Sequence, residues 1–376
     1  MSVKRIVFVI PAFEGGGAER VFLSLLAHLD TAVYDPVVIC FNKTGALVDA
    51  LPARIRVIDL RKSGPLSLPV LIWRLRNVLR RESPRLVVSF ITYANYITIA
   101  ARILSGVKIP VIVAEHSVVS RTISGWSEGL KRKIISFFYP RADAVITVSR
   151  GCKDELVREY WVPEKKITVI PNGIDLDLIR LRAAENVADP WFCGDIPVIV
   201  TIGRLTKAKA LPLLLRAVAL VKKTQQTRLA IIGEGPERKS LCAYAKELGI
   251  QDSVRFLGFQ NNPYKFLAKS SLFALSSAWE SFSLVIIEAM CLGVPVVATD
   301  CPYGPGDIVT PGINGILAPV NDYSGLADAI SRVIQDGELR KIMSENGKAR
   351  ANDFDLIRMV LQYQQVFSRF GEECNA

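Results

Sequence analysis

The chain has 376 residues, half of them hydrophobic, with 47 Lys+Arg against 36 Asp+Glu and a formal charge of +11. This length exceeds what one core usually organises and points to about two domains, while no apolar run reaches the roughly 18–20 residues that a membrane-spanning helix needs. Seven cysteines (Cys40, Cys152, Cys193, Cys242, Cys291, Cys301 and Cys374) are scattered without CxxC spacing, which argues against a disulfide framework or a zinc site and for reduced thiols.

The opening MSVKRIVFVIPAF enters a strand-like run without a cleavable signal, so a cytoplasmic protein is expected. Residues 1–190 hold 27 Lys+Arg against 18 Asp+Glu, and residues 191–376 hold 20 against 18. The basic first half therefore favours an anionic partner: nucleic acid, an acidic membrane surface or a phosphorylated substrate.

In chain order, RIVFVIPAF, PVVICF, IRVIDL, LVVSFI, PVIVAE, AVITVS and ITVIP are Val/Ile-rich runs, several followed by helix-like stretches such as AERVFLSLLAHL and KDELVREYW. The alternation predicts a parallel sheet covered on both faces. After the first run, Gly15, Gly16 and Gly17 let the backbone approach a phosphate before a helix beginning near Ala18. GGGAER is not the GxGxxG fingerprint, so an NAD enzyme is not expected. In LPVLIWRLRNVLRRESPR (68–85), Arg74, Arg76, Arg80, Arg81 and Arg85 interleave with Leu71, Ile72, Trp73, Leu75, Val78 and Leu79. That pattern suits a membrane interface or the basic outer face of a core-packed helix. His116 closes PVIVAEH, where a histidine taken alone is more often structural, and His28 reads as an ordinary helix residue.

IDLDLIRLRAAENVADPWFCGD breaks the strand pattern and divides the chain into expected domains 1–185 and 186–355. A second series follows: PVIVTIGRL, RLAIIGEG, VRFLGF, SLFALSS and VPVVATD, interleaved with LPLLLRAVALVKK, ERKSLCAYAKELG and YKFLAKSS. Two Rossmann-like halves imply a ligand gripped across a cleft at the carboxyl ends of the strands. The amphipathic DLIRMVLQYQQVFSRFG predicts a last helix within 356–376 that crosses back to the first domain.

Three strings of the second half carry chemistry. GRLTKAK places Arg204 and Lys209 after a strand, where two cations can neutralise a diphosphate and the charge that accumulates as it leaves. IIGEGPER puts Gly233 and Gly235 in a turn at the next strand end, which alone says no more than turn and helix start. WESFSLVIIE places Glu280 in a strand's exit loop and Glu288 in the helix after it, with the free N–H groups of Phe282, Ser283 and Leu284 at the helix start as phosphate donors. Glu288 could then accept a ribose's hydroxyls and Glu280 a sugar hydroxyl. Spacing alone favours the plainer alternative, in which Glu280 caps a helix and Glu288 is a polar residue on its surface.

GGAER (16–20), AEHS (114–117), PNGID (171–175), GRL with Lys209, GEGPER (233–238), the pair Glu280 and Glu288, and NGILAP (314–319) follow one another over nearly the whole chain. In this order they resemble the retaining GT-B fold glycosyltransferases of family 4. The resemblance implies an α/β fold of two Rossmann-like domains with parallel sheets facing each other across a cleft, and transfer of a sugar from a nucleotide sugar, a UDP-sugar favoured over GDP. It implies donor binding by Gly16, Gly17, Arg204, Lys209, Gly233, Phe259 (main chain, at the base), Glu280, Phe282, Ser283, Leu284 and Glu288. It implies acceptor binding by Gly17 and Arg20, and catalysis by His116, Glu280, Arg204 and Lys209. With no DxD motif, no cofactor and no obligatory metal are expected, the cations and helix terminus serving the leaving group. Lacking an evident nucleophile, front-face attack is favoured over double displacement.

Ala210 and Pro212 depart from the family's usual Gly and Asp, Ser281 and Ser283 from glycines, and Asp307 from Glu; the serines narrow the space at the donor phosphate. GGAER, SF (89–90), AEHS and DCPYGP (300–305) look like bacterial enzymes of lipid-linked glycan and surface polysaccharide synthesis. That implies a polyprenyl-diphosphate-linked saccharide as acceptor and a peripheral place on the inner face of the cytoplasmic membrane, served by the basic first half. A GT-B nucleotide-sugar epimerase is the alternative. A nucleic-acid-binding protein is less favoured because no RNA or DNA module is recognisable.

Overall fold

The structure, a computed structural model, describes residues 3–64, 67–122 and 128–370; Cys374 and the end of the 356–376 segment lie outside the described residues. The chain forms two compact units, Met1–Gly173 with Leu356–Ala376, and Ile174–Asp355.

The first unit is built on seven parallel strands: β1 (Lys4–Ile10), β2 (Tyr34–Cys40), β3 (Arg56–Asp59), β4 (Leu86–Phe90), β5 (Val111–Glu115), β6 (Ala144–Thr147) and β7 (Ile167–Val169), in the order β3-β2-β1-β4-β5-β6-β7. Phe8 of β1 aligns with Val38 of β2 and Val88 of β4. The Val/Ile runs of the inner strands β2, β1, β4, β5 and β6 are buried on both faces because helices cover both, whereas the edge strands β3 and β7 are mostly half-buried or exposed. On one face, Phe8, Phe22 and Phe90 pack together with ring centroids 5.0–6.4 Å apart, and Phe8 meets Phe367 and Phe90 meets Tyr363 of the last helix, Leu356–Ser368, each at 6.1 Å. The amphipathic end of the chain thus finds its apolar partner in this unit.

The arginine-rich stretch forms the helix Leu68–Glu82, with Leu71, Leu75 and Leu79 buried in the core. Arg74 donates to the carbonyls of Leu60 and Arg61 at 2.7 and 2.9 Å. Arg76 and Arg80 donate to those of Leu104 and Ser105, at 2.9 and 2.8 Å, at the end of the helix Thr92–Ser105. Guanidinium groups there satisfy orphan carbonyls and oppose the negative end of the helix dipole. Of the two readings of 68–85, the core-packed helix is the one observed.

The second unit has six parallel strands: β8 (Val198–Ile202), β9 (Arg228–Ile232), β10 (Val254–Gly258), β11 (Leu272–Leu275), β12 (Val296–Thr299) and β13 (Ile316–Ala318), in the order β10-β9-β8-β11-β12-β13. Helices Leu211–Val221, Arg238–Glu247 and Tyr323–Gln335 pack in one layer; Leu176–Ala183, Tyr264–Ala268, Leu284–Cys291 and Gly337–Ala351 pack in the other. The chain enters this unit at Ile174, earlier than the expected boundary at 185/186. Asp175 caps Leu176–Ala183 through the Leu178 N–H (2.9 Å), and Arg182 and Asn262 tie that helix to the loop after β10. A capped helix with its own tertiary partners therefore begins inside a stretch whose composition reads as a linker.

Each sheet reverses its direction of strand addition once, between β1 and β4 and between β8 and β11. Loops leaving neighbouring strand ends diverge at these points, opening the crevices where doubly wound sheets bind ligands.

Candidate active site

In the second unit, the loops leaving β8 and β11 flank such a crevice. They are stitched together: the Ala278 N–H donates to the Ala208 carbonyl (2.8 Å) and the Ser276 hydroxyl to the Lys209 carbonyl (2.8 Å). Across this seam Lys209 Nζ meets Glu280 Oε1 at 2.5 Å, both side chains mostly buried, at 19% and 12% exposure. The Ser277 hydroxyl donates to the same oxygen at 2.7 Å, and Thr299 holds the Ser277 carbonyl at 2.6 Å. Two residues far apart in sequence are thereby fixed as one ion pair. Arg204, on the same β8 loop, is exposed and among the described residues has no ion pair.

Gly233 closes the neighbouring loop. It sits at φ +134°, and a Cβ there would stand 2.0 Å from the Gly203 carbonyl oxygen. Only glycine lets the β9 exit press against the β8 exit, so this residue shapes the crevice through its backbone.

The helix Leu284–Cys291 begins at Ser283 with no side-chain cap. Phe282 turns its ring inward onto Phe354, at 5.8 Å, and leaves its main chain to the loop. Ser283 is buried, and its hydroxyl has no hydrogen-bond partner among the described residues. Leu284 opens the helix, half-buried. Glu288, one turn on and also half-buried, accepts from the Tyr264 hydroxyl at 3.4 Å. Phe259, just past β10, is exposed. Arg204, Lys209, Gly233, Phe259, Glu280, Phe282, Ser283, Leu284 and Glu288 thus all lie at the carboxyl end of one sheet or on the first turns after it. Tyr264, Ser277 and Thr299 join them, and no local motif marked these three.

Two departures from the family pattern acquire a physical reading. Pro212 lies in the first turn of Leu211–Val221, where a missing N–H costs nothing. Ala210 caps that helix at φ 43°, ψ 41°, a left-handed conformation that a Cβ disfavours. Ala210→Gly is therefore expected to raise unfolding stability by about 0.5–1 kcal/mol, the relief of strain exceeding the glycine's extra unfolded-state entropy; urea denaturation reads it.

In the first unit, Gly16 caps the helix Gly17–His28, and both glycines are exposed. Arg20 is exposed on its first turn. The loop carrying them is fixed by backbone bonds from Phe13 to Thr44 and from Leu47 to Phe13 (2.9 and 3.0 Å). Gly45 makes this possible, since a Cβ there would lie 2.1 Å from the Phe13 carbonyl oxygen, a constraint no motif announced. His116 follows β5, buried, stacked on Phe90 at 5.4 Å, with the Tyr363 hydroxyl 3.4 Å from Nε2. Burial drives its pKa down to about 4, against a smaller opposing effect of the adjacent Asn172 amide. Nδ1 of His116 and Oδ1 of Asn172 have no hydrogen-bond partner among the described residues.

Glu115, the preceding residue, faces a different environment. It accepts from the Tyr139 hydroxyl (2.5 Å) and the Ser117 N–H (2.9 Å). Asn95 donates to the Tyr139 oxygen (3.0 Å) and accepts from Ser89 (2.7 Å). Burial outweighs these hydrogen bonds and pushes Glu115 up to about 7. No cluster of His, Cys, Asp or Glu able to hold a metal occurs among the described residues.

Two parallel α/β units, each opening a crevice at its switch point, define the fold of the GT-B glycosyltransferases, and the comparisons agree. HepE of Anabaena, solved in complex with UDP, superimposes with a TM-score of 0.80 at 22% identity, over 97% of this chain and 100% of that one. Residues 15–178 match Glycosyltransferase Family 4, and residues 191–350 match Glycosyl transferases group 1. Lipopolysaccharide core biosynthesis glycosyltransferase LpsD of Rhizobium meliloti is 30% identical over 346 residues, 88% of this chain and 89% of its own. N-acetylgalactosamine-N,N'-diacetylbacillosaminyl-diphospho-undecaprenol 4-alpha-N-acetylgalactosaminyltransferase of Campylobacter jejuni is 29% identical over 365 residues, 95% of this chain and 97% of its own. The chain belongs to the glycosyltransferases that join a family 4 region to a group 1 region.

Proposed function

We propose that the protein is a retaining glycosyltransferase that moves a hexosyl or N-acetylhexosaminyl group from a UDP-sugar to a polyprenyl-diphosphate-linked saccharide. The observation that carries this reading is the Lys209–Glu280 pair, set beside Arg204 and the start of the helix that bears Glu288. Lys209 and Arg204 neutralise the diphosphate, Glu280 accepts from a sugar hydroxyl, and Glu288 with Tyr264 holds the ribose. The bond from the anomeric carbon to the phosphate oxygen breaks as the acceptor oxygen bonds to the same face, and the departing phosphate takes the acceptor's proton. No divalent ion is assigned a step.

The acceptor class is supported by the Campylobacter relative, whose name specifies a diphospho-undecaprenol-linked substrate. A peripheral place at the cytoplasmic membrane surface is supported by the basic first half and by the helix Glu128–Phe138, which exposes Leu130, Lys133 and Phe137 along one stripe while Ile135 is buried. No described helix is long and apolar enough to cross a membrane.

The deciding experiment incubates the protein, with EDTA present, with a panel of UDP- and GDP-sugars and polyprenyl-diphosphate saccharides, analysed by mass spectrometry and by NMR of the new linkage. A UDP-dependent α-linked product that forms in EDTA is expected. Epimerised donor formed without acceptor, or an inverted linkage, would overturn the reading. Sedimentation with anionic vesicles at low salt tests the membrane component, which fails if the protein stays in the supernatant.

A further inference from the structure

Glu280 presents its two carboxylate oxygens unequally. Lys209 Nζ and the Ser277 hydroxyl both donate to Oε1, at 2.5 and 2.7 Å. Oε2 has no hydrogen-bond partner among the described residues, and the side chain keeps 12% of its surface open.

The ammonium cannot create this asymmetry by itself. It carries three rotatable donors, and the last torsion of a glutamate is broad and two-fold, so a lysine alone would meet either oxygen or bridge both. Ser277 removes that freedom. Its single O–H proton goes to Oε1, and two donors converging on one oxygen fix the plane of the carboxylate. Oε2 is then left to a ligand.

The serine can do this because it is itself held. Ser277 is fully buried two residues beyond β11, and its carbonyl accepts from the Thr299 hydroxyl (2.6 Å) at the end of β12. On either side of it, the Ser276 hydroxyl donates to the Lys209 carbonyl and the Ala278 N–H to the Ala208 carbonyl, each at 2.8 Å. The β8 loop and the end of β12 therefore grip the segment that carries the hydroxyl, which cannot follow a carboxylate that rotates. A carboxylate oxygen only accepts, so the group that meets Oε2 has to be a donor. In the reaction proposed above, that group is a hydroxyl of the transferred sugar.

We propose that Ser277 is a positioning residue that reserves Oε2 of Glu280 for one hydroxyl of the donor sugar, by pinning Oε1 beside Lys209. The inference rests on the glycosyltransferase reading above and adds the atom that meets the sugar and the residue that aims it.

Calorimetric titration of the parent protein and of Ser277→Ala tests it. The probes are UDP, UDP-galactose, UDP-glucose, UDP-N-acetylgalactosamine and UDP-N-acetylglucosamine, with the 3-, 4- and 6-deoxy forms of the tightest-binding sugar nucleotide. In the parent, one deoxy form should bind about tenfold more weakly than the complete sugar, the loss of a hydrogen bond to a charged group. In Ser277→Ala the complete sugar should weaken by a similar factor and that deoxy form by little, a coupling between residue and hydroxyl. UDP should bind as in the parent, which also reports an intact fold. Ser277→Cys, similar in shape but a weak donor, should follow Ser277→Ala.

Equal losses for the complete and deoxy sugars in Ser277→Ala, or no loss for either, overturn the assignment. So does a Ser277→Ala protein that no longer binds UDP, because a residue acting through Glu280 alone leaves the nucleotide's contacts in place. A parent that binds UDP but no UDP-sugar, or binds a UDP-sugar and all its deoxy forms alike, also overturns it and leaves the glycosyltransferase reading to its product assay. A parent that binds neither UDP nor any UDP-sugar counts against both.

Discussion

Lys209→Ala is expected to lower kcat/KM by about 100- to 1,000-fold, Glu280→Gln by a similar factor, and the double variant by little more than either alone. The geometry dictates the lack of additivity. Lys209 Nζ and Glu280 Oε1 are 2.5 Å apart, and Ser277 is the other described partner of that carboxylate oxygen. Removing the ammonium leaves a largely desolvated carboxylate that repels an arriving diphosphate. Neutralising the carboxylate frees Lys209 from the direction in which Glu280 holds it. Either change breaks the same unit, so the second has little left to remove. Both variants should stay folded, with Lys209→Ala losing about 1–3 kcal/mol because Ser277 still satisfies the carboxylate. Steady-state kinetics beside urea denaturation separate the two effects. Near-normal rates, or losses that multiply in full, would remove the pair from the assigned roles.

What the sequence made legible was local in origin. Runs such as RIVFVIPAF and PVIVTIGRL announce buried parallel strands because strands covered on both faces must be apolar throughout, and the reversal between β8 and β11 turns their loops into a crevice. Arg204 with Lys209 and Glu280 with Glu288 were visible because each pair follows a strand end at short spacing. The ion pair between Lys209 and Glu280 was not, since the register of two loops is set by contacts such as Ala278 to Ala208 that carry no side-chain signature. Tyr264 was hidden for the same reason. The arginines of 68–85 were visible as charge, but their work on the carbonyls of Leu60, Arg61, Leu104 and Ser105 depends on which helix end lies alongside. AEHS marked His116 as one element of a motif; only packing shows that Glu115 and His116, consecutive in sequence, lie in separate environments.

Those two residues should give stability slopes of opposite sign with pH. Side chains at successive positions of an extended segment point to opposite faces. Glu115 accordingly joins Tyr139 and Asn95, while His116 stacks on Phe90 under Tyr363. For Glu115, raised from 4.5 to about 7, the native state holds a proton that the unfolded chain has released, so its contribution to stability is present below pH 4.5 and is lost as pH rises through about 7. For His116, lowered from 6.5 to about 4, the unfolded chain binds a proton that the native state refuses. Its contribution is present above pH 6.5 and lost as pH falls through about 4. Each swing is on the order of 3 kcal/mol. Between about pH 4.5 and 6.5 the two nearly cancel in the parent protein, and removing either exposes the other. His116→Gln should become less stable, relative to the parent, as pH rises from 4.5 to 7. Glu115→Gln should become less stable, relative to the parent, as pH falls from 6.5 to 4. Hydrogen exchange at the β5 amides, which reads the opening free energy of the strand that carries both residues, measures each difference directly. Slopes of the same sign in the two variants, or no change in either, would show that the two groups do not titrate in these buried settings.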